Sequence, residues 1–227
     1  MKFISIFFYT LLLFSCQTNS QNKEIKKELF IKFQFALGDN EFNNTQCLVE
    51  IQKNEDDTKK IALPKECKIY IDSIQLSFDN EIYPNYSTEI EANYFIGKHK
   101  WVIDFGKEIK KEIEFEVAPF KLKNDIPKKI GNTDLKIECE NLKSTDLITL
   151  LISGELSDNS ETYLEIKPND GFFIIPKDFL RKVDAKDLEI RFNISRKIII
   201  NDDNYFGNGI EIEITKITKD YETKIIR

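Results

Sequence analysis

Four cysteines, one histidine and one loop of acids and amides are the residues of this 227-residue chain whose types and spacing could do chemistry. No Cys-x-x-Cys pair occurs and His99 is the only imidazole, so a tetrahedral zinc site lacks its ligand set. Cys47 and Cys67 are placed for a disulfide: a hairpin over residues 45–71 centred on Asp57 sets them opposite each other. Opposed residues have Cα atoms about 4.5–5.5 Å apart, within a disulfide's reach. Cys139 shares a face with Leu135 and Ile137 and is expected as a buried thiol. His99 stands between Lys98 and Lys100 at the start of a strand and is expected at the surface or strand end. Glycine-rich phosphate loops, the serine nucleophile elbow and the H-E-x-x-H motif are all missing, which argues against an enzyme.

The loop Asn201 to Gly209 is the closest approach to a ligand site. Set against a calcium loop, Asp202 and Asn204 take the first and third positions, Gly207 the glycine position and Glu213 the last. Phe206 falls where an oxygen ligand is needed, and isoleucines flank Glu213 as on a strand. The expectation is therefore a polar hairpin loop, with Asp202, Asn204, Tyr205 and Phe206 as possible ligand contacts, no metal and no cofactor. Tyr83 and Tyr86 also lie in an expected loop, where rigid β scaffolds usually carry recognition. With Tyr205 and Phe206 they are the rings a glycan would need, whereas Trp101 is in phase with Ile103 and Phe105 and is expected in the core.

The fourth cysteine, Cys16, follows a different kind of signal. Lys2 is a short positive head, Phe3 to Phe14 is nearly all apolar, and Leu13-Phe14-Ser15-Cys16 puts a small residue before cysteine. A dozen residues at about 1.5 Å rise are too short to cross a hydrocarbon core of about 30 Å. This is the layout of an export signal. It resembles the lipobox of bacterial lipoproteins, with Phe14 in place of the usual small residue. The resemblance implies cleavage after residue 15 and lipidation of Cys16. Residues 16–27 are then a polar tether. Gln17-Thr18 carries no acidic sorting signal, which by the same resemblance implies an outer membrane, with the chain facing the periplasm.

Beyond residue 28 the period is two almost throughout. Leu29, Ile31, Phe33 and Phe35 share a face; so do Trp101, Ile103 and Phe105, and later Ile210, Ile212 and Ile214. The phase slips at Asp72-Ser73, as at a bulge or a change of sheet. Residues 177–183, after Pro176, are the one expected helical turn. Pro119 and Pro127 interrupt the pattern near the middle. The expected fold is all-β: two tandem immunoglobulin-like β-sandwiches, over residues 28–119 and 120–227. A formal charge of −6 disfavours nucleic acid as a partner. These features point to an envelope lipoprotein that binds or positions another protein, or one that captures glycan.

Overall fold

The computed structural model describes residues 29–38, 44–91, 95–106, 110–154, 162–180, 187–202 and 206–225. Cys16, the export segment, the tether, Asn204 and Tyr205 lie outside the described residues. The architecture is all-β, with one four-residue helix among the described residues.

In the first sandwich, β1 (Phe30–Leu37), β2 (Asn44–Gln52), β6 (Asn85–Glu91) and β5 (Ser77–Asp79) lie side by side in that order. The opposing sheet runs β4 (Ile74–Gln75), β3 (Lys68–Ile71), β7 (Gly97–Asp104) and β8 (Lys110–Val117). Lettered along the chain, these are the A-B-E-D and C′-C-F-G sheets of an immunoglobulin-like fold. Period-two burial produces the core: Phe33 and Phe35 on β1 meet Trp101 on β7, the first pair with ring centroids 4.5 Å apart. Trp101 is fully buried, as its phase predicts.

The second sandwich repeats the plan. β9 (Lys121–Leu122), β11 (Leu135–Glu140) and β14 (Phe172–Ile175) form one sheet. The other contains β13 (Thr162–Ile166), β12 (Leu147–Gly154), β15 (Asp187–Asp202), β17 (Tyr221–Ile225) and β10 (Lys129–Ile130). Helix α1 (Lys177–Leu180) follows Pro176, whose carbonyl accepts the Phe179 and Leu180 N–H groups. Phe173 meets Phe192 edge-on at 5.2 Å in this core.

The two cores are not the two halves of the sequence. Strand β16 (Phe206–Ile217) pairs antiparallel with β15 and parallel with β1, from Ile31↔Ile210 to Leu37↔Lys216. Phe206, Ile210, Ile212 and Ile214 consequently belong to the first core, so the chain crosses back over the expected division at residue 119. One face of β15 serves both sandwiches. Leu188, Ile190, Phe192 and Ile194 enter the second core, and Ile198 and Ile200 pack against the first. Arg196 sits between the two sets, over the Phe120 ring at 4.8 Å, with its guanidinium on the buried Asp146 carboxylate at 2.8 Å.

The expected Cys47–Cys67 disulfide is not formed; both residues are thiols. The supposed hairpin over residues 45–71 does not exist, because β2 pairs with β1 and β6 while β3 pairs with β4 and β7 in the opposing sheet. Cys47 faces Phe35 and Thr88 across its ladders instead of Cys67. Burial first, and then the Asp72 charge, push the Cys47 thiol up to about 12; burial takes Cys139 up to about 11. Thiolate being the reactive form, alkylation of native protein at pH 8 should leave Cys47 and Cys139 unmodified. After unfolding without reductant, mass spectrometry should find Cys47, Cys67 and Cys139 all alkylated; a protected 47–67 pair would contradict the fold's strand order.

Candidate functional site

The first sandwich exposes three large apolar side chains where the chain changes sheets, and Ile96 just ahead of β7. Asp72 and Ser73, at φ 46° and 74°, form a two-residue left-handed turn between β3 and β4, the conformation hairpin twist favours. The phase slip at these residues is this turn. Leu76 then anchors the crossing, buried and donating its N–H to the Ile69 carbonyl at 2.9 Å. Beyond it the chain joins the other sheet as β5. Both strands are edges, and along this stretch Ile74 (42 % exposed), Phe78 (51 %) and Ile82 (90 %) face solvent.

The aromatic residues singled out by the sequence do not form a platform here. Tyr86 is not in a loop: it is a buried β6 residue opposite Val49, with its ring 5.1 Å from Phe78. Its hydroxyl accepts the Leu63 N–H at 2.9 Å. Phe206 is fully buried against Phe105, which removes it from the ligand loop. Asp202 pairs with Phe206 across the end of the β15–β16 hairpin. Glu213 is a strand residue whose carboxylate takes Lys32 at 2.8 Å, so it is committed to an ion pair. Tyr83 is part-exposed, with its hydroxyl on Glu50; burial of that hydroxyl, then the Glu50 charge, raise its pKa. Of the four rings proposed for glycan, two are therefore core, one is tied to Glu50 and Tyr205 is outside the described residues.

Period two could have found His99, which alternates inward with Trp101 and Ile103. The structure buries it instead of leaving it at the surface, stacked on Phe95 at 4.3 Å. Its Nδ1 lies 2.5 Å from Asp72 Oδ2, and Asp72 Oδ1 accepts the Lys100 N–H at 2.8 Å. The carboxylate thus holds the left-handed turn onto β7, and what it holds in place is the crossing that exposes Ile74 and Phe78.

The outward face of the sheet around β1 and β16 is a close mesh of charge. Lys32 bridges Glu213 and Glu211, Lys197 reaches Glu211 at 3.4 Å, and Lys60 meets Glu50 at 2.7 Å. Burial alone would lower the Lys32 pKa, but the Glu213 hydrogen bond and both carboxylate charges outweigh it and raise it. At Glu213 burial pulls upward, and Lys32 with Gln34 and Lys197 overcomes it, holding the carboxyl below its usual range. These acids and lysines are paired with one another, which makes this face structural.

No family model matches the chain, and no curated protein matches it. Among solved structures it is similar to the tandem Ig repeats of Dlar (10 % identity, 87 % of this chain and 97 % of that one, TM-score 0.27). It is similar also to the IG1+IG2 region of DIP-gamma (10 % identity, 85 % and 96 %, TM-score 0.24). A third is a tetra-tandem repeat from the extending region of a large adhesion protein (11 % identity, 86 % and 49 %, TM-score 0.24). At such scores these likenesses carry no argument of their own. The assignment of the fold rests on the strand order of each sandwich.

Proposed function

We propose that this chain is a lipid-anchored protein of the cell envelope, in the outer membrane and facing the periplasm, and that it works as a non-catalytic module that binds or positions another protein. The observation that carries the reading is the join between the sandwiches. A shared strand pair and a buried ion pair at the changeover suit a spacer that presents its edges in fixed positions. The exposed Ile74, Phe78 and Ile82 are apolar side chains on and beside two edge strands, available for a protein partner to cover.

Anchoring rests on Leu13 to Cys16. Acyl chains contribute about 0.8 kcal/mol per buried CH₂, so two or three hold firmly where one is marginal. Cys16→Ser is expected to accumulate as unlipidated precursor and to leave the detergent phase; equal partitioning of mutant and wild type would reject the anchor. With a photo-crosslinking residue at Ile82, the lipidated protein should capture one defined envelope protein in its own membranes. Saturable polysaccharide binding with no cross-linked protein would reject the protein-binding reading.

A further inference from the structure

A second surface, away from the β4–β5 edge, is built to receive a strand. β8 is the last strand of its sheet, paired with β7 over eight consecutive positions from Gly97↔Val117 to Asp104↔Lys110, with no shift of register. Among the described residues nothing pairs with its other side. The remaining terminal strands are shorter: two residues in β4, β9 and β10, three in β5, four in β14 and five in β13. Folded proteins usually blunt such an edge by shortening, bulging, interrupting it with proline or lining it with charge. β8, Lys-Lys-Glu-Ile-Glu-Phe-Glu-Val, is neither short nor interrupted, and its charges are its one guard: they turn away like-charged strands and leave the edge open to a strand of opposite sign. Alternate residues along it turn their N–H and C=O groups to the open side.

The side chains state what the incoming strand must carry. Ile113, Phe115 and Val117 point into the core, whereas Glu112, Glu114 and Glu116 stand exposed on the outer face. On β7 the neighbouring column is basic: Lys98 is opposite Glu116, Lys100 is opposite Glu114, and the Lys100 ammonium reaches Glu112 at 3.2 Å. Lys98, Lys100, Glu114 and Glu116 also wall a shallow cleft of about 400 Å³ there. The columns alternate in sign, positive on β7 and negative on β8, so the complementary next column, about 4.8 Å further on, is positive.

We propose that the open edge of β8 binds an extended segment of a protein partner by strand addition, and that this segment carries Lys or Arg at every second position. Main-chain hydrogen bonds supply the affinity and the glutamate column selects the sequence. A second copy of this chain is the poorer occupant. Antiparallel β8–β8 pairing about Glu114 sets Glu114 against itself and Glu112 against Glu116, and like charges directly opposite are destabilising. The proposal rests on the reading of the chain as a protein-binding module, but it can fail separately, because the β4–β5 edge is not involved.

The test uses the chain from residue 17 onward, in solution, with a fluorescent blocked octapeptide alternating lysine and valine, and its glutamate counterpart. The lysine peptide should bind and slow amide exchange along residues 112–116, and the glutamate peptide should not bind. Glu114→Lys/Glu116→Lys, changes confined to exposed side chains, should weaken the lysine peptide about tenfold. Circular dichroism of this variant should be unchanged. Binding indifferent to the charge reversal, or protection appearing elsewhere than β8, would overturn the proposal. Loss of the Ile82 cross-link with β8 binding intact would instead remove only the apolar edge.

Discussion

Asp146→Ala is expected to destabilise the protein by about 3–5 kcal/mol, the usual cost of removing one partner from a buried ion pair. The Asp146 side chain is fully buried and that of Arg196 is 12 % exposed. Both carboxylate oxygens are used: Oδ1 accepts Arg196 Nε, and Oδ2 accepts a second guanidinium N–H together with the Lys143 backbone N–H, all at 2.8 Å. The guanidinium also donates to the Asn141 carbonyl, and Asn141 in turn donates to the Pro119 carbonyl. Without Asp146, Arg196 keeps its charge between the two cores with carbonyl and ring partners alone. Asp146→Leu/Arg196→Met, which removes both charges, should recover most of the loss, since apolar replacement of a whole buried pair is often neutral. Urea unfolding of the chain from residue 17 measures both. A loss below about 1 kcal/mol for Asp146→Ala would place the pair with exposed salt bridges.

The strands were legible because one face of each is buried, and burial writes itself as alternation. Phe33 and Phe35, Trp101 and Ile103, and Phe192 and Ile194 could all be assigned inward from phase. Pairing partners were not legible, because alternation gives the face of a strand but not its neighbour. Cys47 and Cys67 have the symmetry of a hairpin, yet their strands belong to opposite sheets. Two further signals stand in the sequence. The inward phase of β15 continues through Ile198 and Ile200, with Arg196 the one charged residue on that face and Ile199 exposed on the other, which extends that strand beyond any single sandwich. His99 is in phase with Trp101, although its lysine neighbours and its place at the start of a strand point to the surface. Tyr86 is a case of a different kind: one hydrogen bond from Leu63 lets a polar ring be buried in a strand that sequence places in a loop. The exposed edge near Ile82 could not be foreseen, since exposure there depends on where the chain changes sheets.

Ile212→Ala, a change late in the sequence on β16, should lower the unfolding midpoint seen by Trp101, a residue of the first sandwich. Ile212 is fully buried and lies between Phe33 on β1 and Ile198 on β15. Large-to-small changes of this kind cost about 2–5 kcal/mol. Trp101 is the sole tryptophan, so its fluorescence reports the first core alone, whereas far-UV circular dichroism reports every strand. With β16 hydrogen-bonded between β15 and β1, the second sandwich cannot lose β15 without stripping the first of Phe206, Ile210, Ile212 and Ile214. The two probes should therefore trace one transition in urea, coincident in midpoint, as for a single cooperative unit. Phe192→Ala is the sharper variant, because Phe192 contributes only to the second core. Its expected loss of about 3–5 kcal/mol should appear in the Trp101 signal as fully as in circular dichroism. A Trp101 transition that ignores Phe192→Ala, while circular dichroism splits into two steps, would mean that the sandwiches unfold independently and that β16 adds a strand to the first without coupling it to the second.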